Sequence, residues 1–167
     1  MQLDKENTLQ VLTDFSKYVV QQSRTNLTKG GKNVSKQLYD SIGYDLNVSP
    51  NSFELGFKMQ DYGQFQDLGV SGKIRKFNTP FSYKDKMPPA RAFDKWVVKK
   101  GIAPRSKGKF LSRESIKYAI ARSVFLNGIK PTYFFSKPFE AGFINLPDDV
   151  IQAYGLDVEN FLKYTLK

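Results

Sequence analysis

The chain has 167 residues, of which 40% are hydrophobic, and a net charge of +10 from 26 Lys and Arg against 16 Asp and Glu. It contains neither cysteine nor histidine, which excludes disulfides, thiolate nucleophiles, histidine-dependent catalysis and zinc sites built from those side chains. This composition predicts a cofactor-free protein that is not an enzyme, folded as one domain and suited to a reducing compartment such as a cytoplasm.

Nothing in the sequence predicts export or insertion into a membrane. The N-terminal stretch MQLDKENTLQVLTDF has acids where a secretory signal would need a basic region. The longest apolar runs are only a few residues, far below the roughly 20 that span a bilayer. We therefore expect a soluble protein with no membrane partner.

The first predicted element is an amphipathic helix from Thr8 to about Thr28. Its apolar residues recur at helical spacing, and Asn7 or Thr8 would serve as the N-cap. The helix is expected to end near the glycine pair at 30–31, because glycine readily adopts the left-handed backbone that closes a helix.

A β-hairpin is the clearest local prediction. Apolar and polar residues alternate along 42–48 and again along 53–59, with turn residues at 49–52 between them. One face of this hairpin is apolar and needs a cover, since an isolated hairpin is marginally stable in water. The N-terminal helix is the expected cover.

The stretch DYGQFQDLG, from Asp61 to Gly69, predicts a short helical turn that a glycine closes. Tyr62, Phe65 and Leu68 stand at positions i, i+3 and i+6 and so lie on one side of the turn. We expect these three side chains to belong either to the core or to a subunit interface.

The positive charge is concentrated in one segment. Residues 73–122 contain 15 Lys or Arg and three acids, a net charge of +12, whereas the rest of the chain has 11 against 13, a net charge of −2. The pattern predicts an extended loop over 70–89, a helix over 90–100, a second loop over 103–109 and a further helix capped by Ser112.

The C-terminal part predicts one strand and two helices. Aromatic residues indicate a strand over 132–136, and the sequence KPF at 137–139 predicts a turn out of it. Helices are expected over 147–154, which starts with a proline, and over 158–166, which Asp157 would cap.

These elements predict an α+β fold. A long N-terminal helix packs on a small antiparallel sheet, formed by the hairpin and a later strand, with a basic helical insertion and C-terminal helices. We expect a single domain, 1–167, in which 1–69 and 130–167 form the scaffold and 70–129 form the insertion.

Two loops of the insertion combine cations with small residues, GKIRK at 72–76 and RSKGK at 105–109. Glycine and serine let the backbone approach a phosphate while Lys and Arg neutralise it, without reading sequence. We therefore predict contact with DNA or with an acidic protein partner, the alternative being a solvated positive surface. The cations concerned are Lys73, Arg75, Lys76, Arg105, Lys107 and Lys109. Four aromatic residues are candidates for base stacking, the alternative being that they belong to the hydrophobic core. They are Phe77, Phe81, Tyr83 and Phe110.

The acidic residues indicate no active site. Asp148 and Asp149 are adjacent at the start of a predicted helix, where they stabilise the positive end of its dipole. No Gly-Lys-Ser/Thr phosphate loop occurs in the sequence. A magnesium-dependent nuclease is a further alternative, but the sequence offers no evident cluster of acids to hold its metal ion.

Two short motifs resemble those of the tail-completion, or neck, proteins of tailed bacteriophages. That family has a Tyr-x-x-φ-x-x-φ-Gly stretch after its hairpin, where φ is apolar, and a Pro-Phe-φ-x-x-Ala-type stretch near its end. The corresponding residues here are Tyr62, Phe65, Leu68 and Gly69, and then Lys137, Pro138, Phe139 and Ala141. The segment 93–123 is also similar to virion proteins of myovirus and podovirus type. The chain departs from the family in having Leu68 where an acid usually precedes the final glycine, and in its longer basic insertion.

The resemblance implies a structural virion protein, a subunit of a closed six-fold or twelve-fold ring that joins the portal to the tail around the DNA channel. Its partners would be further copies of itself, the portal or adjacent neck and tail proteins, and the packaged DNA. It would be assembled in the host cytoplasm and reside in the neck of the virion. The alternative that the residues leave open is a small nucleic-acid-binding module without sequence preference.

Overall fold

The computed structural model describes residues 5–32, 35–49, 52–106 and 108–165. Within those residues the helices are α1 (Glu6–Lys29), α2 (Gln37–Ser41), α3 (Gly63–Leu68), α4 (Asp94–Lys99), α5 (Arg113–Asn127), α6 (Ser136–Phe143) and α7 (Leu146–Thr165). The strands are β1 (Gly43–Ser49), β2 (Ser52–Lys58), β3 (Arg105–Ser106) and β4 (Lys109–Phe110), and a 3-10 helix, Ala90–Phe93, precedes α4. The predicted α+β class, with its long N-terminal helix, hairpin and C-terminal helices, is confirmed. None of the described helices is both long and apolar enough to cross a membrane.

The chain divides into two compact units. The first, which we call the aromatic unit, comprises Met1–Gly30, Gln37–Gln60 and Phe134–Lys167. The second, which we call the basic unit, comprises Gly31–Lys36 and Asp61–Tyr133, and so contains the whole of the predicted insertion.

The aromatic unit is built around the hairpin and α1. β1 and β2 pair antiparallel along their full length, and Phe57 of β2 contacts Phe15 of α1 edge-to-face, with 6.0 Å between the ring centroids. Phe135 and Phe139 surround the same Phe57 ring at 5.4 and 5.9 Å. Helix α1 therefore covers the apolar face of the hairpin, as the sequence predicts.

The start of α1 differs from the prediction. The helix begins at Glu6, so neither Asn7 nor Thr8 is its N-cap. Instead, the Asp157 carboxylate of α7 accepts hydrogen bonds from the backbone amides of Asn7 and Thr8, at 3.1 and 3.0 Å, and from both side chains at 2.7 Å. The free amides of a helical first turn need acceptors, and here a distant buried carboxylate supplies them.

The C-terminal predictions need two corrections. The strand expected over 132–136 is absent, because the backbone turns at Tyr133, whose φ is 50°, and α6 begins at Ser136. Pro138 consequently lies in the first turn of α6 rather than in a turn between elements, a position where its missing N–H costs nothing. The two helices expected beyond it are one continuous helix, α7, in which Asp157 is internal. Packing of α7 against α1 outweighs the local stop signals.

Candidate functional site: the two basic loops

The excess of positive over negative charge lies in one of the two units of the protein. The basic unit has 18 Lys and Arg against 5 Asp and Glu, a net charge of +13, and the aromatic unit has 8 against 11, a net charge of −3. The charge pattern of the sequence thus follows a structural division. A unit with such an excess attracts polyanions, and this attraction weakens as the salt concentration rises.

Helix α5 separates the two predicted loops. Ser112 caps its N-terminus, with the Oγ atom accepting a hydrogen bond from the Ser115 amide at 3.2 Å, as predicted. The RSKGK loop precedes this end, and the GKIRK loop is bonded to the opposite end. Because the helix has 15 residues and rises about 1.5 Å per residue, the loops lie roughly 20 Å apart. They form two sites rather than one cluster.

The GKIRK loop closes the C-terminus of α5. The Lys73 amide donates to the carbonyl of Phe125 at 2.9 Å, and the Ile74 and Arg75 amides donate to the carbonyl of Leu126 at 2.9 and 3.2 Å. These carbonyls are among the groups that the end of a helix leaves without partners. The loop is therefore an integral part of the fold.

Two glycines seat this loop against the helix end. A Cβ atom on Gly72 would lie 2.2 Å from the Leu126 carbonyl oxygen, and one on Gly128 would lie 2.1 Å from the Val70 carbonyl oxygen. Gly128 also has φ of +73°, in the left-handed region. Only glycine permits this close approach of the two backbones.

Each cation of the GKIRK loop has an interaction within the unit. Lys73 Nζ lies 3.6 Å from Asp85 Oδ1, Lys76 Nζ donates to the Gly72 carbonyl at 2.8 Å, and the Arg75 guanidinium lies over the Phe77 ring at 5.3 Å. All three charges also stand at the negative end of the α5 dipole, which favours cations. Stabilisation of the helix end therefore explains part of this charge.

The RSKGK loop is a short β-ribbon. β3 and β4 pair antiparallel, with Arg105 opposite Phe110, and Gly108 provides the turn with φ of +78°. The Arg105 guanidinium lies 4.1 Å from the centroid of the Phe110 ring, which remains 62% exposed. Lys109 is exposed on β4, and Lys107 lies outside the described residues.

The position of this ribbon distinguishes it from the GKIRK loop. It leads directly into the N-terminus of α5, where the helix dipole is positive and additional cations are unfavourable. Stabilisation of α5 therefore does not account for Arg105 and Lys109. An exposed Arg–Phe pair beside an exposed lysine is an arrangement that can neutralise a phosphate and stack on a base.

Other cations of the unit are occupied by acids. Asp94 accepts from Arg113 at 2.7 Å and lies 3.2 Å from Lys117 Nζ. The hydrogen bond from Lys117 lowers the pKa of Asp94, and the hydrogen bond to Glu114 raises the pKa of Lys117. This network joins α4 to α5 and removes two cations from the set available to a partner.

The motif residues lie in different surroundings. Tyr62 precedes α3 and Phe65 lies within it, and their side chains are 44% and 41% exposed. Leu68, the last residue of α3, is half-buried. In the other motif Lys137 is exposed, Pro138 is buried and Phe139 belongs to the aromatic core.

Sequence reasoning missed the two Arg–Phe pairs and the role of α5 as the element between the loops. Phe110 is fifth after Arg105, and only a turn within that stretch brings their side chains together. The glycine at 108 was the available signal for such a turn.

Within the described ranges, no three acidic side chains converge in a way that could hold a metal ion. No protein-family model, curated protein or solved structure matches the chain.

Proposed function

We propose that the protein is a structural subunit of a ring in the neck of a tailed bacteriophage, joining the portal to the tail around the DNA channel, and that it is not an enzyme. The observation that carries this proposal is the division of charge between the units, +13 against −3. Such a subunit needs one surface for a polyanion, DNA or an acidic portal, and another for its neighbours. The resemblance of the Tyr62 and Pro138 motifs to neck proteins supplies the biological setting.

The hairpin supports contact with neighbouring subunits. Its sheet has two strands, so in the described chain both outer edges lack a further strand. Open edges accept a strand from another chain. A ring of six or twelve copies could use them in a head-to-tail contact that closes by rotation.

The C-terminal helices offer a second contact surface. They leave several large apolar side chains exposed, and exposed apolar patches of this kind mark protein–protein interfaces. These side chains are Phe143, Ile151, Tyr154, Leu156, Leu162 and Tyr164, together with Ile144 between the two helices.

A charge-neutralised variant tests the assignment of the loops. Lys73, Arg75, Lys76, Arg105, Lys107 and Lys109 are changed together to Gln in the phage that encodes the protein. Head–tail joining and genome retention in the resulting particles are then counted by electron microscopy. We expect tailless or emptied heads to predominate.

The matched control removes the same number of charges from other positions of the basic unit. These are Lys86, Arg91, Lys95, Lys99, Lys100 and Lys130. Normal particles from this control, with defective ones from the loop variant, would support the proposal. Normal particles from both would remove the loops from the mechanism, and absence of the protein from purified particles would overturn the neck assignment itself.

A nucleic-acid-binding module is the second candidate, and the exposed Arg105–Phe110 pair favours it. A module should bind DNA or RNA alone, with an affinity that falls steeply with salt. Fluorescence anisotropy with a 20-nucleotide single strand and the matching duplex, from 50 to 300 mM salt, separates the two candidates. Strong binding by the monomer would favour the module, whereas a connector subunit should bind weakly until assembled.

A further inference from the structure

The basic unit contains a groove of about 560 Å³ that involves neither basic loop. Its walls are mainly apolar and aromatic, and include Tyr62, Phe65, Val70, Phe81, Tyr83 and Ile129. Phe65 and Phe81 meet edge-to-face, with 4.7 Å between their ring centroids. Tyr62 and Phe65 remain substantially exposed, so the groove is open to a partner.

An isolated parallel β-bridge, between Ser71 and Ser82, borders this groove. The Ser71 amide donates to the Phe81 carbonyl, and the Tyr83 amide donates to the Ser71 carbonyl, both at 2.9 Å. In this parallel pairing the amide and carbonyl of the intervening residue, Ser82, point away from Ser71. Neither group has a hydrogen-bond partner in the part of the chain that the structure describes. Ser82 is exposed and lines the groove.

The groove wall also holds a buried hydrogen-bond donor without a partner. Nε2 of Gln66 is inaccessible to solvent and has no acceptor among the described residues. A buried donor without an acceptor destabilises the free protein. Because this atom is covered, a carbonyl oxygen in the groove would bond to it only once the Gln66 side chain turns toward the groove.

We propose that this groove binds an extended acidic peptide segment of a partner protein. The segment adds as a strand beside Ser82 and places one aromatic or aliphatic side chain against the Phe65–Phe81 pair. Strand addition supplies backbone hydrogen bonds, and the apolar groove selects the side chain.

Charge complementarity identifies the peptide as acidic. Lys84 lines the groove and is exposed at its rim, Lys86 follows two residues later, and the unit as a whole carries +13. The apolar walls disfavour a phosphate backbone, which needs cations and polar groups along its path. This inference does not depend on the neck assignment, since it concerns residues outside both basic loops.

Fluorescence anisotropy with synthetic peptides tests the proposal on the full-length protein. The probes are four fluorescein-labelled peptides, EDVEXEVDE, in which X is Phe, Tyr, Leu or Ile. The same peptides with Lys in place of every acid serve as charge controls. We expect at least one acidic probe to bind and its lysine counterpart to bind at least about tenfold more weakly.

Two variants locate the bound peptide. Phe65→Ala removes the exposed groove ring, and Ser82→Pro removes the outward amide, and each should weaken binding at least about tenfold. Tyr118→Ala, at an exposed aromatic residue of α5 outside the groove, is the matched control and should change the affinity less than about twofold. Circular dichroism establishes that each variant is folded.

Hydrogen exchange on the unmodified protein provides a measurement that no variant can confound. Saturation with the acidic peptide should protect the Ser82 amide, which has no hydrogen-bond partner among the described residues. The proposal is overturned if none of the four acidic probes binds, or if binding neither protects Ser82 nor weakens in Phe65→Ala. Protection of Ser82 by a DNA oligonucleotide would reassign the groove to nucleic acid, and protection that rises with protein concentration alone would reassign it to a second copy.

The six-cation loop variant distinguishes this proposal from the preceding one. It leaves every residue of the groove wall unaltered but lowers the charge of the unit, so it should bind the acidic peptide more weakly than the unchanged protein and still show protection of Ser82, even where head–tail joining fails. Protection of Ser82 together with normal particles would contradict the loop assignment alone, and loss of that protection together with defective particles would contradict the groove alone.

Discussion

The aromatic unit and the basic unit are similar in length but are stabilised by different interactions. Of the buried apolar residues among the described positions, nine lie in the aromatic unit and four in the basic unit. The four of the basic unit are Val70, Val97, Ile116 and Ala121. The basic unit therefore relies more on backbone hydrogen bonds between loops, on glycine contacts and on the Asp94 ion pairs.

This difference has a consequence for function. The stabilisation that buried apolar side chains provide changes little with salt or when a polyanion binds. Mutual repulsion among its 18 cations, in contrast, destabilises the compact basic unit, and a bound polyanion relieves that repulsion. The aromatic unit suits a permanent structural role. The basic unit suits a role in which a partner contributes to its stability.

The largest expected effect is on the aromatic core. Phe134 is 1% exposed and packs with Leu27, Leu38 and Ile42. Phe134→Ala should lower the free energy of unfolding by about 3 to 5 kcal/mol, because it leaves a cavity in a closed core. Urea unfolding followed by far-UV circular dichroism measures the loss.

Its control is Ile144→Ala, at a largely exposed position of the same unit. That change should cost less than about 0.5 kcal/mol. If both changes lower the free energy of unfolding by similar amounts, burial of apolar side chains is not what stabilises the aromatic unit.

In the basic unit the sensitive position is a glycine. Gly128→Ala combines a left-handed backbone, costing about 1 to 2 kcal/mol, with a Cβ that would lie 2.1 Å from the Val70 carbonyl oxygen. Forced repacking adds about 1 to 3 kcal/mol. Unfolding can be followed by the fluorescence of Trp96, the sole tryptophan of the chain, which lies in α4 of this unit.

Gly101→Ala is the matched control for the glycine contact. Gly101 has φ of +62° but no atom within 4 Å of an added Cβ, so only the backbone cost of about 1 to 2 kcal/mol applies. An equal loss in both variants would show that the close approach at Gly128 contributes nothing.

A smaller effect is expected where α7 caps α1. Burial of Asp157 raises its pKa, but the hydrogen bonds from Thr8 and Asn7 outweigh burial, so the pKa lies below its ordinary value. Asp157→Asn should cost about 1.5 to 3 kcal/mol at neutral pH, since hydrogen bonds to a charged acceptor are lost.

The sign of the pH dependence follows from the lowered pKa. A carboxylate with a folded-state pKa below the unfolded value, about 3.9 for Asp, contributes fully above that value. The contribution is lost as the pH falls through the folded-state pKa. Wild-type stability should therefore approach that of Asp157→Asn between about pH 5 and pH 2. A constant difference between the two proteins over this range would contradict the role of the charge.

The smallest effect is expected for an exposed ion pair of the hairpin. Lys58 Nζ and Asp45 Oδ1 are 2.8 Å apart, but both side chains are more than half exposed. Asp45→Asn should change the free energy of unfolding by less than about 1 kcal/mol, because solvent screens the pair. A larger loss in thermal unfolding would show that charge pairs also stabilise the aromatic unit.

The sequence predicted those elements whose signals are local. α1, the hairpin and the Ser112-capped α5 each combine a periodic apolar pattern with turn or cap residues, and the structure confirms them. The concentration of charge in one segment is likewise a property of composition. That this charged segment forms a compact unit of its own could be seen only in the structure.

What could not be predicted depends on partners distant in sequence. Asp157 is indeed a cap, but of α1, which lies about 150 positions earlier. Aromatic residues at 132–136 suggested a strand, yet Phe134 and Phe135 contribute to the core from a turn. The groove beside Phe65 arises only when segments near 65, 81 and 129 meet.

Helix α5 acts as a fixed spacer between the Arg105 ribbon and the GKIRK loop. Its length of roughly 20 Å corresponds to about six base pairs along duplex DNA. A duplex lying parallel to α5 presents phosphates of both strands on the face toward the protein, on either side of each groove. If the proposed contact with DNA is correct, the length of this one helix fixes the distance between the phosphates that the two loops reach.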